Sequence, residues 1–576
     1  MTNRKIVTGV LAMFLLIAIG RVLASYAVTA QAFDEPCHVA AAIELIDRGT
    51  YQLDPYNTPL ARLAIGAPLY LAGARMPLYA PDDPARRNYN DVGNKILHGG
   101  TNYPLTLALA RSGVLPFLVL STIVVFCWTK REFGDLAAVM SVVLFTTLPV
   151  ILAFSSVAYS DISAAFAQPA ALFAFALWLE EPSGKRASWL GVITGLALLA
   201  KFTTLLYLPV GAAAILAVRW LRPKQEDTSK PGIRRSALIF HILAASLIAV
   251  VVVWGGYVFS TGRVQQSLGI SAESMPSFQH FPGPLRQTAR AVILRNPVVP
   301  APGLLNGIAS AWAFNKEGPP SYFMGQIKRG GWWYFFFVDL ALKSPLAFLV
   351  LGLIGLIALV QDRARKWTAL SPAASMSAIL LATTMTKVYY GVRHVIAVYP
   401  LLAIVAGYGA SYLWQVQGRR QIAARSILSI LLVWQIGSSL SASGNFLAYF
   451  NVLAGKDPSK LFVAGCDLDC GQDLIRLSKE LKARKVSHIT LALWTSTDMS
   501  QADLPTFQVA QASEPVAGWF AISLRALRTG DLFHESYPQN AFDWLKSYQP
   551  VQQVGSTILL YYIPDASISS ARSLAP

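Results

Sequence analysis

Residues 6–28, IVTGVLAMFLLIAIGRVLASYAV, run almost directly into FDEPCHV, residues 33–39. An apolar stretch of that length spans a bilayer as a helix. Two adjacent carboxylates, Asp34 and Glu35, therefore emerge at a membrane surface with His38 one helical turn away. Charge at the edge of hydrocarbon is costly unless cations or hydrogen-bond donors hold it, so the pair marks a candidate reaction centre. The plainer role is capping of the next helix, with Pro36 in its first turn. One carboxylate can cap while the other reacts.

Working outward, similar apolar stretches recur to about residue 443 in a chain of 576 residues that is 54% hydrophobic and 14% charged. That composition describes a polytopic α-helical membrane protein, read as about 11 spans. Asn3-Arg4-Lys5 precede the first span, which reads as a retained anchor rather than a signal peptide despite Ala30-Gln31-Ala32. Basic flanks at Lys130-Arg131, Lys185-Arg186, Arg363–Lys366 and Arg419-Arg420 fall on the cytoplasmic side by the positive-inside rule. The formal charge of +17 is scattered between apolar runs in short clusters, which fits membrane topology and not nucleic-acid binding.

Alternation from those flanks puts loops 28–104 and 260–335 outside, the second as an exception in its charge, since the rule is reliable mainly for short loops. The first holds eight acids (Asp34, Glu35, Glu44, Asp47, Asp54, Asp82, Asp83, Asp91) against six basic residues, and reads as amphipathic helices on the membrane surface. The second is rich in Pro and Gly and carries seven Lys or Arg against Glu273 and Glu317, an excess suited to anionic headgroups. Apolar residues 188–218 lie between two basic stretches and so read as two short helices. Lys201-Phe202-Thr203-Thr204 then forms their outer turn. Asp339 and Lys343, one turn apart, either merely neutralise each other or stand free for chemistry at the outer face. Residues 1–444 form the membrane domain, and 445–576, with the amphipathic stretch from Leu474 and the strand-like Ile489–Trp494, a water-exposed α/β domain. Cys127 reads as a core residue. Cys466 and Cys470 suit a disulfide if the tail faces an oxidising compartment, and a zinc site lacks further ligands.

Asp34, Glu35, His38, Asp161, Lys201, Lys343, Lys387, Arg393 and His394 all fall toward the outer face. A carboxylate there can take the proton of an attacking hydroxyl while Lys and Arg stabilise a phosphate leaving group. No Gly-rich phosphate loop or nucleotide fingerprint is present, so a lipid-phosphate donor fits better than a soluble nucleotide. A transporter or flippase would line a path through the bilayer, and neither a matching inner set of charges nor an inverted repeat is seen. A non-catalytic assembly module is the third reading.

The order Asp34-Glu35-Pro36-x-His38, Gly49-x-Tyr51, Asp54-Pro55-x-Asn57-x-Pro59 and Arg62 resembles the first outer loop of the family 39 glycosyltransferases of the GT-C superfamily. Ala110-Arg111, the turn into Asp161, Leu199-Ala200-Lys201, Gly331-Trp332-Trp333-Tyr334, Leu342-Lys343-Ser344-Pro345 and Gly391-Val392-Arg393-His394 are similar to segments of its bacterial members. Asp467–Leu474 is similar to a segment that often reads Asn-Leu-Asp-Trp-Gly-Gln-Asp, with Asp467 in place of asparagine and Cys470 in place of tryptophan. The resemblance implies inverting transfer of a hexose, pentose or mannose-like sugar from a polyprenyl-phosphate donor to a lipid, glycan or protein acceptor at the outer face of the cell inner membrane. It implies Asp34 as general base, with Glu35 beside it. Asp161 would be a second acid that positions substrate, or binds a metal in some relatives. Lys201 and Arg393, with Lys343 and Arg111, would hold the donor phosphate. His38, Asn57, Arg62 and His394 would contact substrate. No cofactor is required by the residues themselves, and a divalent cation stays open through those relatives.

Overall fold

A computed structural model describes residues 2–79, 88–100, 102–222, 235–265, 283–463, 465–530 and 539–564. Asp82, Asp83, Glu273 and most of the basic stretch between Arg219 and Arg235 lie outside the described residues. Each of the apolar stretches read from the sequence is helical. Six helices among the described residues are long and apolar enough to cross a membrane, or seven if the bent pair Phe335–Lys343 and Leu346–Gln361 is one span. Trp367–Thr383 is apolar but shorter.

Local sequence explains the breaks. The helix Leu115–Thr146 folds back at Gly134, whose φ of +84° is in the left-handed region that a side chain disfavours. Phe335–Lys343 and Leu346–Gln361 meet at 115° across Ser344-Pro345, since proline forces its predecessor out of helical geometry. Gly184–Ala200 and Thr204–Leu221 are the two helices expected there, and Lys201 lies in the turn between them. In the first span Arg21 donates to the Ser439 hydroxyl at 2.7 Å, tying Thr2–Tyr26 to the last membrane helix, Gln421–Ser441.

The first loop contains the helices Glu35–Arg48, Pro59–Leu71 and Tyr89–His98. The first of these does not lie on a surface: every residue from Glu35 to Leu45 is buried. The tail covers it, with the Ala30 and Phe33 N–H groups donating to the Gln472 and Cys470 carbonyls at 2.9 Å each. The long second loop contributes the helix Pro302–Glu317 and the hairpin Pro320–Phe323 with Gln326–Arg329. That hairpin also docks on the tail through Met324 N–H to Leu461 O, 3.0 Å.

Beyond residue 487 the tail forms a five-stranded sheet in the order Thr506–Val509, His488–Ala492, Gly518–Ser523, Ile558–Ile563, Gln552–Val554. The first three strands are parallel and the last two run antiparallel to their neighbours. Leu477 and Leu481 of the helix Leu474–Ala483 pack on one face with Ile489, Leu491 and Leu560. Phe542 and Leu545 pack on the other with Phe520 and Tyr561.

Candidate active site

Four charged side chains from distant parts of the chain meet at one end of the helical bundle, beneath the tail. Asp34 flanks the helix Glu35–Arg48 and Asp161 opens Asp161–Glu180, yet neither side chain caps its helix. Each faces a cation instead. Arg393 Nη1 lies 2.6 Å from Asp34 Oδ2, and Lys201 Nζ lies 2.5 Å from Asp161 Oδ1. Lys201 also donates to the Arg393 carbonyl at 3.0 Å, which joins the two pairs. Asp34 is the most open of the four, 28% exposed, against 4% for Asp161.

The loop carrying Arg393 is held from behind. Gly391 has φ +85°, and a Cβ there would collide with the Asp467 carboxylate. Asp467 Oδ1 accepts the Val392 N–H at 3.0 Å. Burial pushes the Asp467 carboxyl up, against the pull of Lys343 and of that N–H. Asp34 itself is fixed through its own N–H, which donates to the Tyr159 hydroxyl at 2.8 Å, and the Arg393 guanidinium lies over the Tyr159 ring at 5.7 Å. The same hydroxyl is 3.2 Å from Cys470 Sγ, and Cys466 and Cys470 are joined as a disulfide.

The other expected site residues are engaged elsewhere. Glu35 and Arg111, both fully buried, bind each other through two 2.8 Å contacts. Glu35 also accepts the Ala32 and Ala158 N–H groups, at 2.7 and 2.8 Å. Lys343 forms no ion pair with Asp339: its Nζ donates to the carbonyls of Leu447 at 2.7 Å and Asp467 at 2.5 Å. Arg62 forms a buried ion pair with Asp54 and donates from Nε to His38 Nδ1 at 3.3 Å. Burial, followed by Arg62, pushes the His38 imidazole down to about 4, so it is neutral. Asn57 donates to Asp54 at 3.1 Å and accepts from Ser160, the residue before Asp161, at 3.4 Å. His394 packs near Phe336 and Tyr390, and burial with Lys201 and Arg393 beside it pushes its imidazole well down.

Tyr159 lies in the Phe154–Asp161 turn, but no pattern in the sequence marked it. Among the described residues no three His, Cys, Asp or Glu side chains gather as a metal set.

Residues 110–255, 146 of the 576, match the family of dolichyl-phosphate-mannose-protein mannosyltransferases. In fold the chain is similar to ArnT from Cupriavidus metallidurans, covering 96% of this chain and 98% of that one at 12% identity, with TM-scores of 0.50 bound to undecaprenyl phosphate and 0.51 in the apo state. That likeness shows the fold, a polytopic helical membrane architecture shared with ArnT. The archaeal oligosaccharyltransferase AglB from Archaeoglobus fulgidus aligns over 87% of this chain and 65% of its own at 12% identity, with a TM-score of 0.44. No curated protein matches the sequence. The end of the helical bundle with Asp34, Asp161, Lys201 and Arg393 is the candidate active site.

Proposed function

We propose that this protein transfers a sugar from a polyprenyl-phosphate donor to an acceptor hydroxyl, with inversion, on the extracytoplasmic side of the membrane. The observation that carries the reading is the joined pair of ion pairs, in which the half-buried carboxylate of Asp34, the most open of the four, is held by the same arginine whose carbonyl accepts from Lys201.

With no substrate, Arg393 pairs with Asp34. A donor phosphate brought beside Arg393 and Lys201 competes for both cations and frees the Asp34 carboxylate. The acceptor oxygen then forms a bond to the anomeric carbon as the carbon–oxygen bond to phosphate breaks. The phosphate leaves with the bonding electron pair, and the acceptor proton passes to Asp34. A single displacement of this kind inverts the anomeric centre. Arg111 and Lys343 are left out of phosphate binding because Glu35 and backbone carbonyls already occupy them. Asp161 holds Lys201 in place. The disulfide beside Asp34 and the positive-inside pattern support an oxidising, extracytoplasmic compartment.

The test incubates the protein in nanodiscs with a panel of polyprenyl-phosphate sugars and a membrane extract as acceptor, following free polyprenyl phosphate by mass spectrometry. Release from one member identifies the donor. No release from any, with divalent ions present or absent, contradicts the proposal.

A further inference from the structure

The tail sheet brings its own cation to this site. His488–Ala492 and Gly518–Ser523 are adjacent parallel strands, and the chain leaves their carboxyl ends at Trp494 and Arg525. In open α/β sheets the crevice at the carboxyl ends of parallel strands is where ligands bind. The two exits are stitched together by the Trp494 N–H, which donates to the Ser523 hydroxyl at 3.2 Å.

Arg525 is 5% exposed, and its guanidinium carbon lies 3.8 Å from the centre of the Trp494 ring. The opposing aromatic contact of Trp494 is Phe33, stacked at 4.6 Å, one residue before Asp34. Arg525, Trp494, Phe33 and Asp34 thus form one continuous path from the sheet edge to the proposed base.

The Arg525 guanidinium makes no ion pair or side-chain hydrogen bond among the described residues, and its Nε is buried without a partner. Asp469, whose charge pulls on Arg525 against burial, accepts the Arg525 N–H at 2.9 Å and the Gly471 N–H at 3.3 Å and is also hydrogen-bonded to the Ser523 side chain. A desolvated guanidinium in direct contact with no carboxylate or phosphate among the described residues is costly, and its five fixed donors suit a phosphate. Burial draws its pKa down to about 10, and Asp469, Tyr390, Asp34 and Arg393 all lie within electrostatic reach.

We propose that Arg525 is a further anion-binding residue of the active site, supplied by the tail, which takes a phosphate of a substrate held between the sheet edge and Asp34. This deepens the transferase reading and rests on it. The phosphate belongs either to the donor lipid or to a phosphorylated acceptor.

The experiment measures binding of two probes to full-length protein in nanodiscs by calorimetry: farnesyl phosphate for the donor, and glucose 6-phosphate for a phosphorylated acceptor. Arg525→Gln is expected to weaken one of them at least tenfold while the melting temperature stays near that of wild type. Loss for farnesyl phosphate assigns the donor phosphate, and loss for glucose 6-phosphate alone assigns the acceptor. Equal affinities in wild type and Arg525→Gln, or a wild type that binds neither probe, overturn the proposal. If Arg525→Gln does not fold, Arg525→Lys carries the test: it keeps the charge, loses the fork, and is expected to bind several-fold more weakly, with unchanged affinity overturning the proposal. Failure of the transferase reading would look different, as Arg525-dependent probe binding without sugar release from any donor.

Discussion

Substituting Arg111 separates an anchoring role for Glu35 from a chemical one. Glu35 is fully buried and accepts four hydrogen bonds, from Arg111 Nε and Nη2 at 2.8 Å each, from Ala32 N–H at 2.7 Å and from Ala158 N–H at 2.8 Å. Arg111→Met leaves a carboxylate in the dark with two neutral donors, a loss of about 3–5 kcal/mol, and Glu35→Gln strands a guanidinium at similar cost. The double variant Glu35→Gln/Arg111→Met buries no charge. The glutamine oxygen still takes one of the two N–H groups, so the remaining loss is about 1–3 kcal/mol for the other. The double variant also loses the Arg111 donations to the Thr29 and Ala30 carbonyls, at 3.2 and 2.8 Å, as Arg111→Met does, so it should be more stable than Arg111→Met, with a coupling of about 3 kcal/mol or more. Unfolding of the nanodisc protein followed by tryptophan fluorescence reads this order. The double variant should also keep measurable sugar transfer. Additive losses, or a folded double variant with no transfer, would refute the anchoring role.

Three further outcomes follow from the same geometry. His38 stays neutral in the fold down to about pH 4 while the unfolded chain takes up its proton near pH 6.5, so stability falls as pH drops through that window, by about 3 kcal/mol in all; acid titration of His38→Gln should lack that slope, and an identical titration would count against it. Replacing both Cys466 and Cys470 by alanine opens a loop with a sequence separation of 4 and should cost about 2 kcal/mol. Because the Tyr159 hydroxyl touches both the disulfide and the Asp34 N–H, turnover should fall as well, and unchanged melting and turnover would exclude that linkage. Lys201→Met should lower transfer by about 10²–10³-fold, the usual loss when one charge-stabilising donor is removed; a rate within threefold of wild type would remove Lys201 from the site.

Helical hydrophobicity marked where helices form, but of about 11 expected spans six or seven helices among the described residues are long and apolar enough to cross a membrane. The turn at Lys201 was legible because two basic flanks demand an even number of crossings. Convergence of Asp34, Asp161, Lys201 and Arg393 toward one end followed from counting sides. Pairing did not. Asp34 and Arg393 are 359 residues apart, and nothing in either neighbourhood says that Arg393 answers Asp34 while Arg111 answers Glu35. Spacing along one helix also misled at Asp339 and Lys343, where the lysine finds two carbonyls that only tertiary packing supplies. Arg525 was invisible because its meaning depends on how the sheet docks over the first loop.

The central claim is that Asp34 accepts the proton once a donor phosphate has taken Arg393 from it. Wild type and Asp34→Asn should be compared in a single turnover with the donor identified from the panel, measuring bound donor and released polyprenyl phosphate in the same sample. The account predicts that Asp34→Asn binds the donor as well as wild type or better, since the arginine is no longer neutralised, and releases no polyprenyl phosphate. Release at the wild-type rate from Asp34→Asn would contradict it.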